Sequence, residues 1–333
     1  MLFRNRKNGW YLNVNNQLTR HRKDAMLIEE EMVGCTLTRF KVGEKYIGCS
    51  NEFSSYIIKI TSKDDDSSLF LFDKLKNRYT TIHGLCLSLD DKLYCGDPEV
   101  DTNLSFEYLS FDEKLFFKFQ KEGMVTWKGK LTDEEINSIT EKILKHKGDR
   151  VSNLFAEDVE ISSKFFKDAT LKSILDEIFS FDSFDSGYHL TTFSSNTLRK
   201  EDKSKVFFHV DYPYHNLTPP YPNKILGIQV IYALNDFTIE NGATMYIPYS
   251  FNSPMFPFFF GPQKIEHLTV PKGSMILYRG DLWHSQGVNT TSEPRIALLA
   301  NFSPLDVLAK DDVVGQLKDV KTHLKIIDGK VHI

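Results

Sequence analysis

The chain predicts a mainly β protein with flanking helices: a small all-β domain over residues 1–112, then, over 113–333, helices followed by a double-sheet jelly roll. Three observations predict it. Short apolar segments bounded by turn residues fill the first third. The composition changes near Glu113, where helical spacing of apolar residues takes over. From Tyr188 onward a succession of strand-like segments runs to Phe302.

In the first third, Gly9–Leu18 reads as a hairpin with Asn15-Asn16 at its tip. Lys45–Cys49 and Gly84–Cys95 repeat the pattern, and the apolar centres Leu12, Ile47 and Leu87 recur at similar intervals. That repetition resembles a fascin-like or ricin-like β-trefoil, which would imply an accessory domain for a protein or glycan partner. The four cysteines (Cys35, Cys49, Cys86, Cys95) contain no C-x-x-C pair and read as buried thiols rather than a zinc site.

Next, Thr132 with Glu135 forms a capping box that opens a helix, and Ile136, Ile139 and Ile143 fall on one face of it. A second helix is expected around Asp168–Phe179, with Leu171, Ile174, Leu175 and Ile178 as its buried stripe. Strands follow over Tyr188–Thr192, Val206–Val210, Lys224–Leu234, Thr244–Pro248, His267–Val270, Ser274–Tyr278 and Arg295–Phe302. Asn241-Gly242 and Pro271-Lys272-Gly273 mark turns between them. The Pro/Phe-rich stretch Pro254–Pro262 reads as a loop plugged into the interface with the first domain, with an aromatic lid as the functional alternative.

Charge and hydropathy exclude several functions. The formal net charge is −4, spread over both parts, with no basic stripe for nucleic acid phosphates. No apolar run approaches the ~20 residues of a membrane helix, and the basic start (Arg4, Arg6, Lys7) is not followed by a signal-peptide core. A cytoplasmic location is the expectation.

The chemistry concentrates in two segments. His209-Val210-Asp211 follows the apolar Val206-Phe207-Phe208, and alternate residues of a strand share a face, so both side chains can meet one ion. The strand Ser274–Tyr278 runs into Asp281-Leu282-Trp283-His284, and eleven residues after His284 Arg295 opens another apolar strand. A guanidinium entering such a strand needs an anion. Two imidazoles and one carboxylate form the facial triad of non-haem Fe(II) oxygenases, which leaves three positions of an octahedron open.

Together with Ala233–Thr244, Ile247-Pro248-Tyr249-Ser250, Trp283-His284, Asn289 and Arg295, these segments resemble the phytanoyl-CoA dioxygenase family of Fe(II)/2-oxoglutarate oxygenases over most of residues 113–305. The resemblance implies a double-stranded β-helix of the cupin-like kind. It implies Fe(II) on His209, Asp211 and His284, 2-oxoglutarate held by its distal carboxylate on Arg295, and O2 as co-substrate. The family often has Ser two residues after the distal His. Here it is Gln286, whose amide can still donate. Where the family has Pro-Gly-Ser-His, this chain has Pro248-Tyr249-Ser250-Phe251, so no substrate role carries over there. Related halogenases replace the carboxylate of the triad, and the presence of Asp211 favours hydroxylation.

Asn196, Thr192 and Gln229 are further candidates for the cofactor pocket, with a solvent-facing position as the other reading of Gln229, and Tyr212 and Tyr214 are candidates for the substrate wall, with core or rim packing as their other reading. His215 reads as a loop residue rather than a fourth ligand. The expected activity is a 2-oxoglutarate-dependent hydroxylase acting on a small-molecule, acyl, protein- or glycan-linked substrate. The alternative is a non-catalytic glycan- or protein-binding protein on a retained oxygenase scaffold. A cupin-like hydrolase or isomerase would not require Arg295.

Overall fold

The computed structural model describes residues 1–5, 11–13, 15–19, 25–33, 37–52, 55–61, 70–73, 78–81, 86–89, 93–96, 104–107, 109–152, 154, 159–181, 187–200, 207–257, 264–317, 324–328 and 330–333. The chain forms two compact units, Met1–Phe117 and Lys118–Ile333.

Among the described residues the first unit is all-β up to residue 107. Its strands are β1 (Leu2–Asn5), β2 (Tyr11–Leu12), β3 (Leu18–Thr19), β4 (Glu29–Val33), β5 (Leu37–Val42) and β6 (Lys45–Glu52). They continue with β7 (Ser55–Thr61), β8 (Phe70–Asp73), β9 (Arg78–Thr81), β10 (Cys86–Leu89), β11 (Leu93–Gly96) and β12 (Leu104–Glu107). The first strand pairs antiparallel with the last, Phe3 opposite Phe106. The hairpin at Asn15-Asn16 forms as its sequence requires. Asn13 Oδ1 accepts from the backbone N–H of Asn15 and Gln17, and Asn16 takes a left-handed φ of 56°, which asparagine tolerates well. Leu12, Ile47 and Leu87 meet in one core with Phe3, Phe40 and Phe70. The Phe40 ring lies 5.2 Å from Phe3 and 4.7 Å from Tyr79. Cys35 and the side chains of Cys49, Cys86 and Cys95 lie outside the described residues, so the reading of buried thiols does too.

Helix α1 (Phe111–Glu122) carries the chain out of the first unit, where the sequence suggested only a change of composition. It is capped by Ser110, whose hydroxyl accepts from Glu113 N–H while Glu113 Oε2 accepts from Ser110 N–H at 2.8 Å. In the second unit, α2 (Asp133–Leu144) opens with the Thr132–Glu135 capping box and buries Ile136, Ile139 and Ile143. Two helices follow, α3 (Val159–Phe166) and α4 (Ala169–Phe181), the latter burying Leu171, Ile174, Leu175 and Ile178.

The strands of this unit are β13 (Met124–Lys128), β14 (Arg150–Val151), β15 (Tyr188–Leu198), β16 (Ile228–Ala233), β17 (Met245–Tyr246), β18 (Glu266–His267), β19 (Ser274–Arg279), β20 (His284–Ser285) and β21 (Arg295–Pro304), with a closing hairpin β22 (Lys325–Ile327) and β23 (Lys330–His332). The large sheet runs β13-β19-β16-β21-β15-β23-β22, with β14 on β15; a small sheet runs β18-β17-β20. This is the jelly roll.

The period of two along β21 decides what each face does. Arg295, Ala297, Leu299 and Asn301 line the cavity on one face, whereas Ile296, Leu298, Ala300 and Phe302 are buried. That second face meets α3: Phe166 lies 4.8 Å from Phe193 and 6.2 Å from Phe302. A sheet buried on both faces explains the near-continuous apolar run of β16.

One expected strand is absent in the described residues. Phe207 and Phe208 belong to no strand, and His209 makes only a single bridge, to His284. Instead of continuing a ladder, the backbone of Asp211 donates to Gly280 O at 2.7 Å, and Pro213 soon removes a donor. Of Pro254–Pro262, the part from residue 258 on lies outside the described residues, and with it the plug-or-lid question.

Close backbone approach fixes this loop. Gly280 N–H donates to Gly227 O at 2.8 Å, and a Cβ on Gly227 would lie 2.3 Å from Tyr212 O. Gly227→Ala is expected to destabilise the protein by about 1–3 kcal/mol through overpacking. A calorimetric melt would show this as a fall of several degrees.

Candidate active site

His209 and His284 face each other across the bridge, each N–H donating to the other's carbonyl at 2.9 and 3.1 Å. Their rings are 4.4 Å apart. Each imidazole is anchored by its own chain: Nδ1 of His209 lies 3.0 Å from Phe207 O, and Nδ1 of His284 lies 2.8 Å from Leu282 O. A carbonyl only accepts, so each Nδ1 carries a proton and Nε2 is the ring atom left to ligate. Asp211 Oδ2 sits 3.4 Å from His284 Nε2. One ligand atom from each of the three residues falls within 4.8 Å of the others. Burial lowers the pKa of His284, against the pull of Asp211, which keeps the imidazole neutral and able to ligate.

Tyr278 is a member of the site that the sequence reading missed. Its hydroxyl donates to Asp211 Oδ2 at 3.2 Å and lies 3.3 Å from His284 Nε2. Burial, then the Asp211 charge, push its pKa well up, so it stays a phenol. Partners that orient a ligating carboxylate typically contribute 10–100-fold to metal affinity. Tyr278→Phe is therefore expected to weaken Fe(II) binding by roughly tenfold while leaving the fold intact, as followed by anaerobic metal titration.

Deeper in the cavity lies Arg295, only 4% exposed. One Nη donates to Gly242 O and the guanidinium lies 4.9 Å over the Phe237 ring, but Nε has no hydrogen-bond partner. Burial lowers its pKa to about 10, which leaves it charged at neutral pH. Among the described residues no carboxylate pairs with it. Gly242 takes a φ of +81° in a space where a Cβ would lie 2.6 Å from Leu198 and 2.9 Å from Gly287 O, so only glycine presents its carbonyl there. Asn235 sets the strand entry from both sides: its Oδ1 accepts from Ile296 N–H and its Nδ2 donates to Pro294 O, both at 2.9 Å. Asn289 closes the preceding loop by donating to Leu198 O and Glu293 O.

The cavity these groups share measures about 230 Å³. Thr192, Asn196, Gln229 and Gln286 line it, and Asn301 and Thr244 join them without having been singled out in the sequence. Gln229 spends its amide N–H on Val230 O and Ala300 O, while Gln286 Nε2 is buried without a partner. Tyr212 lines the cavity and donates to Leu308 O at 2.5 Å. Tyr214 does not line it and is a correction to the substrate wall. Fully buried, its hydroxyl donates to Lys224 O at 2.6 Å and accepts from Leu226 N–H at 2.8 Å, and its ring packs with Tyr221. His215 is exposed in a short 3-10 turn and lies outside the ligand cluster.

The donor set fits a ferrous ion, offering one nitrogen from each of two imidazoles and a carboxylate oxygen. The unpartnered Arg295 Nε and Gln286 Nε2 fit the distal carboxylate of a 2-oxo diacid, since buried donors need acceptors. A facial set of this kind on a jelly roll defines the class of non-haem iron oxygenases.

The family described as phytanoyl-CoA dioxygenase (PhyH) matches residues 119–297, more than half of the sequence. The chain belongs to that family, and Fe(II) and 2-oxoglutarate are the cofactors that membership and donor set together indicate. A dioxygenase, andF, from Emericella variicolor is 31% identical over 102 residues, which is 30% of this chain and 33% of that protein. The match thus spans about a third of that relative's length. Among solved structures, the epimerase SnoN in complex with Fe3+, alpha ketoglutarate and nogalamycin RO aligns at 16% identity, covering 62% of this chain and 89% of that one, with a TM-score of 0.47. HygX from Streptomyces hygroscopicus with nickel, 2-oxoglutarate and hygromycin B aligns at 15% identity, covering 60% and 90%, also at 0.47. No helix of the described residues is long and apolar enough to cross a membrane.

Proposed function

We propose that the protein is an Fe(II)- and 2-oxoglutarate-dependent hydroxylase of an unactivated C–H bond, with succinate and CO2 as co-products. The observation that carries this reading is the joint placement of His209, Asp211, His284 and Arg295 around one cavity. His209 and His284 would hold iron through Nε2, and Asp211 through a carboxylate oxygen. Arg295 would hold the distal carboxylate of 2-oxoglutarate with a forked pair, and Gln286 would add an amide donor. Bound iron supplies O2 activation coupled to decarboxylation of the 2-oxo acid.

The chain's own contribution is placement and dryness. Ile231, Phe237, Ala297 and Leu299 form the apolar wall around the cofactor end. Tyr278 holds Asp211 in one orientation. Thr192, Asn196 and Gln229 are proposed to contact the cofactor as polar lining, and Tyr212 to wall the substrate side. The N-terminal unit is proposed as an accessory binding domain of trefoil-like design, supported by its three apolar centres meeting in one core. Retention of every iron donor and of the buried arginine speaks against a purely structural scaffold.

The test is anaerobic titration of apo-protein with Fe(II) and 2-oxoglutarate. A weak visible charge-transfer band near ~500 nm is expected when a 2-oxo acid chelates ferrous iron in a facial site. Absence of the band from well-folded protein overturns the assignment.

A further inference from the structure

Three cations and one carboxylate line the cavity: Arg150, Arg295 and Lys310 against Asp211. On the reading proposed above, a divalent ion, Asp211, the 2-oxoglutarate dianion and Arg295 together sum to zero. Lys310 is left over, and Arg150 is offset, among the described residues, only by the Asp311 carboxylate. The described partner of Arg150 is Asp311 at 3.9 Å, beyond hydrogen-bond reach, and among the described residues no carboxylate pairs with Lys310. Both are fixed at the backbone to β15, the strand that supplies Thr192 and Asn196 to the cavity. Arg150 sits opposite Asn196 in the β14–β15 ladder, and the N–H groups of Lys310 and Asp311 donate to Thr191 O at 3.2 and 3.1 Å.

Two exposed apolar side chains neighbour His209 and Tyr212, which line the cavity. Phe207 is 56% exposed with its ring 5.2 Å from that of His209. Leu308 is 80% exposed, and its carbonyl accepts the Tyr212 hydroxyl. Each leaves apolar surface in water next to a residue of the cavity lining.

We propose that the substrate is a small molecule with an apolar body and an anionic group, the body resting on Phe207, Tyr212 and Leu308 and the anion on Lys310 and Arg150. The inference rests on the oxygenase reading and names its substrate class. Carboxylates and phosphate esters share the required chemistry, and the test separates them.

Full-length protein loaded with Mn(II) and saturating 2-oxoglutarate, which does not turn over, is titrated calorimetrically with octanoate, octyl phosphate, octan-1-ol and acetate. Octanoate or octyl phosphate is expected to bind at least about fivefold more tightly than octan-1-ol, the worth of a partly exposed ion pair. Binding should weaken about fivefold in Lys310→Gln and again in Arg150→Gln, and acetate should bind far more weakly than octanoate. Whichever octyl anion binds more tightly identifies the acid group. Equal binding of octan-1-ol, indifference to both substitutions, or no binding of any octyl compound overturns the proposal. A normal visible band with ferrous iron alongside such a result sinks the substrate class alone, whereas a missing band sinks the oxygenase reading itself.

Discussion

Ferrous-ion affinity is expected to fall by more than about 100-fold in Asp211→Ala, beyond the 10–100-fold typical of outer partners of a metal site. The side chain supplies the negative charge of the donor set, and its loss also leaves the Tyr278 hydroxyl with only His284 Nε2 in reach. The fold should survive, because Asp211 is only partly buried and its backbone N–H stays on Gly280 O. Metal titration monitored by the visible band, with thermal melting as the control for folding, checks this. Undiminished iron binding in the folded variant would remove Asp211 from the site.

Arg295→Ala should act on the other cofactor. Loss of a forked, charge-assisted pair, at about 1.5–3 kcal/mol per bond to a charged group, raises the 2-oxoglutarate concentration needed for half-saturation by at least roughly 100-fold. Iron affinity measured without 2-oxoglutarate should stay near that of the native protein, since the guanidinium is not a ligand. Arg295→Lys is expected to recover little, because an ammonium is a single point charge and cannot reproduce the fork. Recovery of full affinity in the lysine variant would mean that the carboxylate is held elsewhere.

The sequence made some parts of this arrangement legible and hid others, for physical reasons. The capping box at Thr132 and the stripes of α2 and α4 are local, and the structure has them where the spacing put them. His209, Asp211, His284 and Arg295 were visible because each is a polar residue next to an apolar segment. Tyr278 was hidden as one more aromatic in a buried strand, since its hydroxyl meets Asp211 only through a contact 67 residues away. Tyr214 misled for the same reason in reverse: adjacency to Asp211 suggested the pocket, but its hydroxyl is captured by the loop before β16. The run Phe116-Phe117-Lys118-Phe119 masked α1, although Ser110 with Glu113 carried a helix-start signal. The H-x-D segment looked like a strand by alternation, yet a ladder also needs a partner along its length, and here only His284 provides one.

Both imidazoles are pinned by carbonyls two residues upstream, at Phe207 and Leu282. Ring rotation and tautomer choice are therefore settled by the polypeptide during folding, not by the arriving ion. Rotamer entropy that a loose site would lose at capture has already been spent, so binding free energy goes into coordination.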